Sequence, residues 1–111
     1  MFGAKMNNAD LYGANLQGAT LDRADLSASI LDGALLTDAS LQGATLQHAH
    51  LVRATLDNAK CQMANFRDTD CRYTSFRGAD IRGADFTGAI LVDADFVGVQ
   101  RDASTVLRDG I

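Results

Sequence analysis

Large apolar residues recur along this chain every five positions, with no insertion or deletion from Met6 to Phe96. The nineteen residues at that phase are eleven Leu, four Phe, two Cys, one Ile and one Met, and no polar residue interrupts them. Two places before each stands a small residue, Ala in sixteen repeats and Ser29, Thr69 and Thr74 in the other three. Nine of the ten glycines fall two places after a large residue, leaving only Gly110 off phase. Three positions in five are therefore physically restricted.

A long α-helix cannot use this pattern. A step of five residues at 100° each turns the apolar position by about 140° per repeat and scatters the leucines around the circumference. A flat strand fails too, because side chains alternate with period two and an odd repeat sends successive leucines to opposite faces. The chain must bend once per repeat. A coil that turns a corner every five residues points one large and one small residue inward on each side, and the recurrent Gly supplies the backbone freedom of a tight turn. Stacked rungs of that kind bury a continuous column of Leu and Phe.

Ala9-Asp10-Leu11-Tyr12-Gly13, Ala14-Asn15-Leu16-Gln17-Gly18 and Ala79-Asp80-Ile81-Arg82-Gly83 resemble the A-(D/N)-L-x-x motif of the pentapeptide-repeat family, and the resemblance covers nearly the whole chain. It implies an all-β fold, a right-handed quadrilateral β-helix with four repeats per coil. Nineteen repeats then make about five coils and, at about 4.8 Å per rung, a rod roughly 24 Å long. Ile30, Leu35, Ile90, His50, Lys5 and Lys60 depart from the favoured Asp or Asn before the centre and alter the surface.

Composition narrows the class. The chain has 111 residues, the size of one domain, and 47% hydrophobic content, but Trp, Pro and Glu are absent and only seven residues are aromatic. A round core would be short of large side chains. Ten Lys plus Arg against fourteen Asp give a net charge of −4, so neither nucleic-acid binding nor attraction to an anionic membrane is expected. No apolar stretch approaches the roughly 20 residues of a membrane span, and Met1-Phe2-Gly3-Ala4-Lys5-Met6 is followed by polar residues rather than a signal-peptide core. The chain reads as soluble and cytoplasmic. Cys61 and Cys71 lack the spacing of a zinc or redox motif and read as reduced, structural thiols.

With four repeats per coil, residues twenty apart lie one above the other. Phe66 and Phe86 then stack on one side and Phe76 and Phe96 on the opposite one, with Cys61, Cys71, Ile81 and Leu91 between them. Arg67, Arg72, Arg77 and Arg82 fall one on each side of a single coil, a candidate arginine belt. Its near aspartates, Asp68, Asp70, Asp80 and Asp85, predict exposed ion pairs, and the sharper reading is a contact for an anion or an acidic partner. Tyr12, Ile30, Val52, Tyr73, Ile90 and Val92 collect on one outward face, a candidate apolar contact surface, whereas the neighbouring face carries Asn7, Asn8, Ser27, Gln47 and Arg67. His48 and His50 have no third ligand near enough for a metal site, and no nucleophile, base and orienting group come together. Catalytic, cofactor and metal sites are each expected to be none, and a convex rod is expected to offer no deep cleft.

After Phe96 the pattern fails, with Val99 in the small-residue slot and Arg101 where an inward residue belongs. The solenoid is accordingly assigned to residues 1–100 and a C-terminal cap or tail to 101–111. Asp102 is expected to cap a short helical turn that lays Val106, Leu107 and Ile111 over the open core. Open coil ends expose core and unpaired backbone, which points to a homodimer through the ends or to packing against a further segment.

These readings favour a non-catalytic rigid scaffold that binds an unidentified protein through a face or an end of the solenoid. The family resemblance implies an alternative, an acidic rod that imitates duplex DNA and binds DNA gyrase or topoisomerase. Aspartates on all four sides and the arginine belt weigh against that field.

Overall fold

The computed structural model describes residues 2–107. Parallel bridges join residues twenty apart, from Lys5↔Asp25 through Asp80↔Gln100, and the chain is a right-handed quadrilateral β-helix. Four faces result. Face I carries the inward residues Met6, Leu26, Leu46, Phe66 and Phe86; face II Leu11, Leu31, Leu51, Cys71 and Leu91; face III Leu16, Leu36, Leu56, Phe76 and Phe96; face IV Leu21, Leu41, Cys61 and Ile81. The molecule measures 30 × 24 × 20 Å. Among the described residues no helix is long and apolar enough to cross a membrane.

The five-residue rule follows from where the backbone donors go. In one repeat, Leu11 N–H donates to Ile30 O at 2.8 Å and Gly13 N–H to Asp32 O at 2.9 Å, both in the next coil. Ala14 N–H closes the corner on Leu11 O at 3.0 Å, and Ile30 N–H, one coil on, donates back to Ala9 O at 2.9 Å. The residue after the centre keeps a free N–H, and the Asp or Asn before the centre takes it. All eight such side chains, Asp10, Asn15, Asp25, Asn65, Asp70, Asp80, Asp85 and Asp95, accept it at 2.9–3.3 Å. His50 and Ser40 cannot do this in the same way. In their repeats the N–H groups of Val52 and Gln42 bond to Asp32 and Asp22 of the preceding coil, at 2.9 and 3.0 Å.

The corner residue two places after each centre has positive φ at every repeat from Gly3 to Gly98, as the third position of a type II turn requires. Nine of these are Gly, but Tyr73, Met63, Arg23 and Ala28 hold the same conformation against their steric preference. Cooperative stacking of the coils imposes it.

Inward residues from Leu21 to Phe86 are fully buried, as are the alanines beside them. The three exceptions in the small-residue slot bury hydroxyls that are all satisfied: Ser29 donates to Leu26 O, Thr69 to Phe66 O and Thr74 to Leu51 O, at 2.6, 2.8 and 2.6 Å. Phe66 and Phe86 stack at 4.6 Å and Phe76 and Phe96 at 5.0 Å, and Phe76 meets Phe66 and Phe86 edge-on at 5.6 and 5.4 Å. The wide aromatic pairs span the lumen from faces I and III, and the smaller Cys61, Cys71 and Ile81 fit between them.

The C-terminal end differs from expectation. The regular ladder runs to Gln100 and then, with one residue inserted, goes on to pair Asp85 with Val106. Residues 102–105 form a single turn rather than a helical one, Thr105 N–H donating to Asp102 O at 3.1 Å. Arg101 stays exposed, and Thr105 fills the small-residue slot of the last rung, over Ala84: it is buried, and its hydroxyl donates to Ile81 O at 3.0 Å, as that of Thr74 does to Leu51 O. Leu107 packs on the core, and Ile111 lies outside the described residues.

Candidate functional site

Each arginine of the belt pairs with the carboxylate its column offers. Side chains after a centre lean toward the residue eighteen places on, the one before the centre in the next coil. Asn65 thus donates to Gln47 at 3.5 Å, and Ser75 donates to Asp57. Arg67 and Arg77 find Asp85 and Asp95 on that diagonal, at 3.8 and 3.7 Å. For Arg72 and Arg82 the diagonal offers Ile90 and Gln100, so they turn back in a two-pronged grip on Asp70 and Asp80, with closest contacts of 2.7 and 2.6 Å. These grips hold both carboxyls below the usual carboxylate range and raise the arginines. All four arginine side chains remain at least half exposed, so solvent screens each pair and it adds little to stability. The belt is a neutralised ring.

The six residues of the candidate apolar surface do share face II, but they form two islands rather than one patch. Tyr12 and Ile30 lie on one diagonal near the N-terminal end, and Ile90 and Val92 near the C-terminal end; all four are exposed. His50 and the Asp70–Arg72 pair stand between. Val52 is half-buried, and Tyr73 is exposed but gives one ring face to Arg53, whose guanidinium carbon lies 5.0 Å from the ring centroid. Acidic residues are spread: face II has Asp10, Asp32, Asp70 and Asp93 against Arg53 and Arg72, and face IV has Asp22, Asp80 and Asp102 against Arg23, Lys60, Arg82 and Arg101. His48 and His50 are exposed and flank buried Ala49.

Face IV also holds a feature that the sequence reading did not foresee, an open groove of about 330 Å³ lined by Phe2, Asp22, Arg23, Gln42, Gly43, Gln62 and Met63. Its signal in the sequence is one corner column, Gly3, Arg23, Gly43, Met63 and Gly83, in which long and absent side chains alternate. Sequence alone did not say which way the long ones lean. Met63 lies over Gly83, and Arg23 reaches Gly43 at 3.4 Å from where a Cβ would stand.

The pentapeptide repeat family model matches residues 2–33, 34–70 and 64–100, in eight copies. The chain belongs to the pentapeptide repeat family. Among solved structures, this family member is similar to a pentapeptide repeat protein from the Arabidopsis thaliana thylakoid lumen, at 30% identity and a TM-score of 0.78 over 94% of this chain and 72% of that one. It is also similar to a pentapeptide repeat protein from Nostoc PCC 7120, at 29% identity and a TM-score of 0.74 over 88% and 84% of the two chains. A third, the pentapeptide repeat protein Rfr23 from the cyanobacterium Cyanothece 51142, shares 33% identity with a TM-score of 0.57 over 89% of this chain and 64% of that one. A search of curated proteins found no match.

Proposed function

We propose that this pentapeptide repeat protein is a rigid, non-catalytic scaffold that binds another protein, with face II as the main contact surface. The observation that carries the reading is the pair of apolar islands there. Ile90 and Val92 are 47% and 53% exposed on a solenoid whose remaining outward positions are mostly polar. Stacked coils hold those side chains at fixed spacing, so little ordering is lost on binding. The coil ends are a second surface. Among the described residues, the N–H groups of Lys5, Asp10, Asn15 and Thr20 have no acceptor, an edge on which a second copy can pair. Two reduced, buried thiols suit a cytoplasmic setting.

A DNA-mimic role at gyrase is less well supported, because the arginine belt cancels four carboxylates in the C-terminal coils of the rod and no face is uniformly acidic. Affinity capture with the wild-type chain, compared with Val92→Asp and Ile90→Asp, tests the scaffold reading. Specific loss of one partner in both variants supports it, and an unchanged set removes face II from it. A supercoiling assay with DNA gyrase across salt concentrations separates the two roles: dose-dependent, salt-sensitive inhibition would reverse their order.

A further inference from the structure

The groove on face IV brings together three features: an unpaired cation, a buried acceptor without a donor and exposed apolar side chains. Arg23 makes no ion pair among the described residues; its guanidinium carbon rests 5.8 Å from the centroid of Phe2. The adjacent Asp22, which also lines the groove, makes no ion pair with it; one oxygen of that carboxylate, Oδ1, accepts from Ser40 Oγ and from Gln42 N–H of the next coil. Two coils on, Gln62 Oε1 is buried without a hydrogen-bond partner. A buried acceptor that has lost water and gained no donor is a cost that a ligand N–H removes. Flanking the two polar groups, Phe2 and Met63 are 69% and 70% exposed, the least covered large apolar side chains after Tyr12.

A free cation, an unanswered acceptor and apolar walls ask for a carboxylate, an N–H and an apolar side chain held close together. The last residue of a polypeptide carries all three on one Cα. The cavity, about 330 Å³, lies at the small end of ligand sites and suits a terminal residue with part of its neighbour. We propose that this groove binds the free C-terminus of a partner protein ending in an apolar residue. The terminal carboxylate lies on Arg23, the last amide N–H donates to Gln62 Oε1 and the side chain sits between Phe2 and Met63. The proposal rests on the scaffold reading and adds a partner chemistry to it.

The test is an NMR titration of the full chain with the acetylated tetrapeptide Ac-Ala-Gly-Ser-Leu as the free acid, as its C-terminal amide, and with N-acetyl-leucine. The free acid is expected to shift the resonances of Arg23, Gln62 and the Met63 methyl, and to bind about tenfold more tightly than the amide. Arg23→Gln is expected to abolish that preference. Gly43→Asn, an exchange that tolerates the positive φ as Asn8 and Asn58 do, should fill the floor and block binding while the melting temperature is kept. N-acetyl-leucine, which carries all three groups on one Cα, is expected to shift the same resonances; no shifts with the free acid, or equal binding of acid and amide, overturns the proposal. If the peptide fails while a partner sensitive to Val92→Asp is still captured, the groove falls and the scaffold reading stands.

Discussion

Asp68 folds its carboxylate over Gly88, one coil on, into the space that a Cβ at position 88 would occupy. Gly13, at another corner, has nothing within 4 Å of that point, yet both have the same strained backbone, with φ of +75° and +65°. The two glycines separate conformational strain from crowding. Gly13→Ala and Gly88→Ala are both expected to lose about 1 kcal/mol in urea denaturation, set by the left-handed backbone and partly offset by a stiffer unfolded chain. The Asp68 carboxylate can rotate into solvent. A loss at position 88 exceeding that at 13 by more than about 1 kcal/mol would show that it cannot.

The aromatic column is the region most sensitive to truncation. Phe86 stacks on Phe66 and touches Phe76 and Phe96 edge-on, fully buried. Phe86→Ala is expected to cost about 3–5 kcal/mol, because adjoining coils share a ladder and cannot collapse into the void. Val97→Ala, at a 61% exposed position, is expected to stay within about 0.5 kcal/mol. Thermal melts of the two variants check the contrast.

Acid should weaken the coil through two ion pairs in particular. Arg72 and Arg82 hold Asp70 and Asp80 below their ordinary pKa, so between the folded and unfolded values the unfolded chain binds more protons. This contribution is present above about pH 4, the unfolded value, and is lost as pH falls through the depressed folded one. Asp70→Asn with Asp80→Asn is expected to flatten the acid limb of a stability-versus-pH curve. An acid limb as steep as that of the wild type would sink the assignment.

The thiols should respond at the other extreme. Burial pushes Cys71 up to about 12 and raises Cys61 as well, so the native fold holds both protonated after the unfolded chain has begun to ionise. Their contribution is complete below the unfolded thiol value, about pH 8.5, and is lost as pH rises from there toward the folded values. Neither thiol is expected to react with a disulfide reagent at pH 8 until denaturant is added. Reaction at the rate of a free thiol in the native state would contradict this burial.

The five-residue period determined most of the fold, because inward Leu, Phe and Ala at fixed phase leave the backbone no alternative to a corner in every repeat. Even the Asp and Asn preference is local chemistry, an acceptor for the one N–H that the coil leaves free. The four-sided coil came from family resemblance rather than periodicity, and once it was set, twenty-residue arithmetic placed the belt and the apolar residues on their faces. Arithmetic of that kind gives columns but not directions. Whether Arg72 reaches Ile90 or returns to Asp70 depends on side-chain torsions and competing partners, and only the tertiary structure showed the turn back. The C-terminal rung is similar: one inserted residue lets Val106 rejoin the ladder with Thr105 buried and bonded to Ile81 O, a register that only the tertiary structure showed. The groove was decided last, since it exists only where Arg23 and Met63 lean from different coils around a bare Gly43. That arrangement is set by packing across rungs forty residues apart in sequence and by nothing within a single repeat.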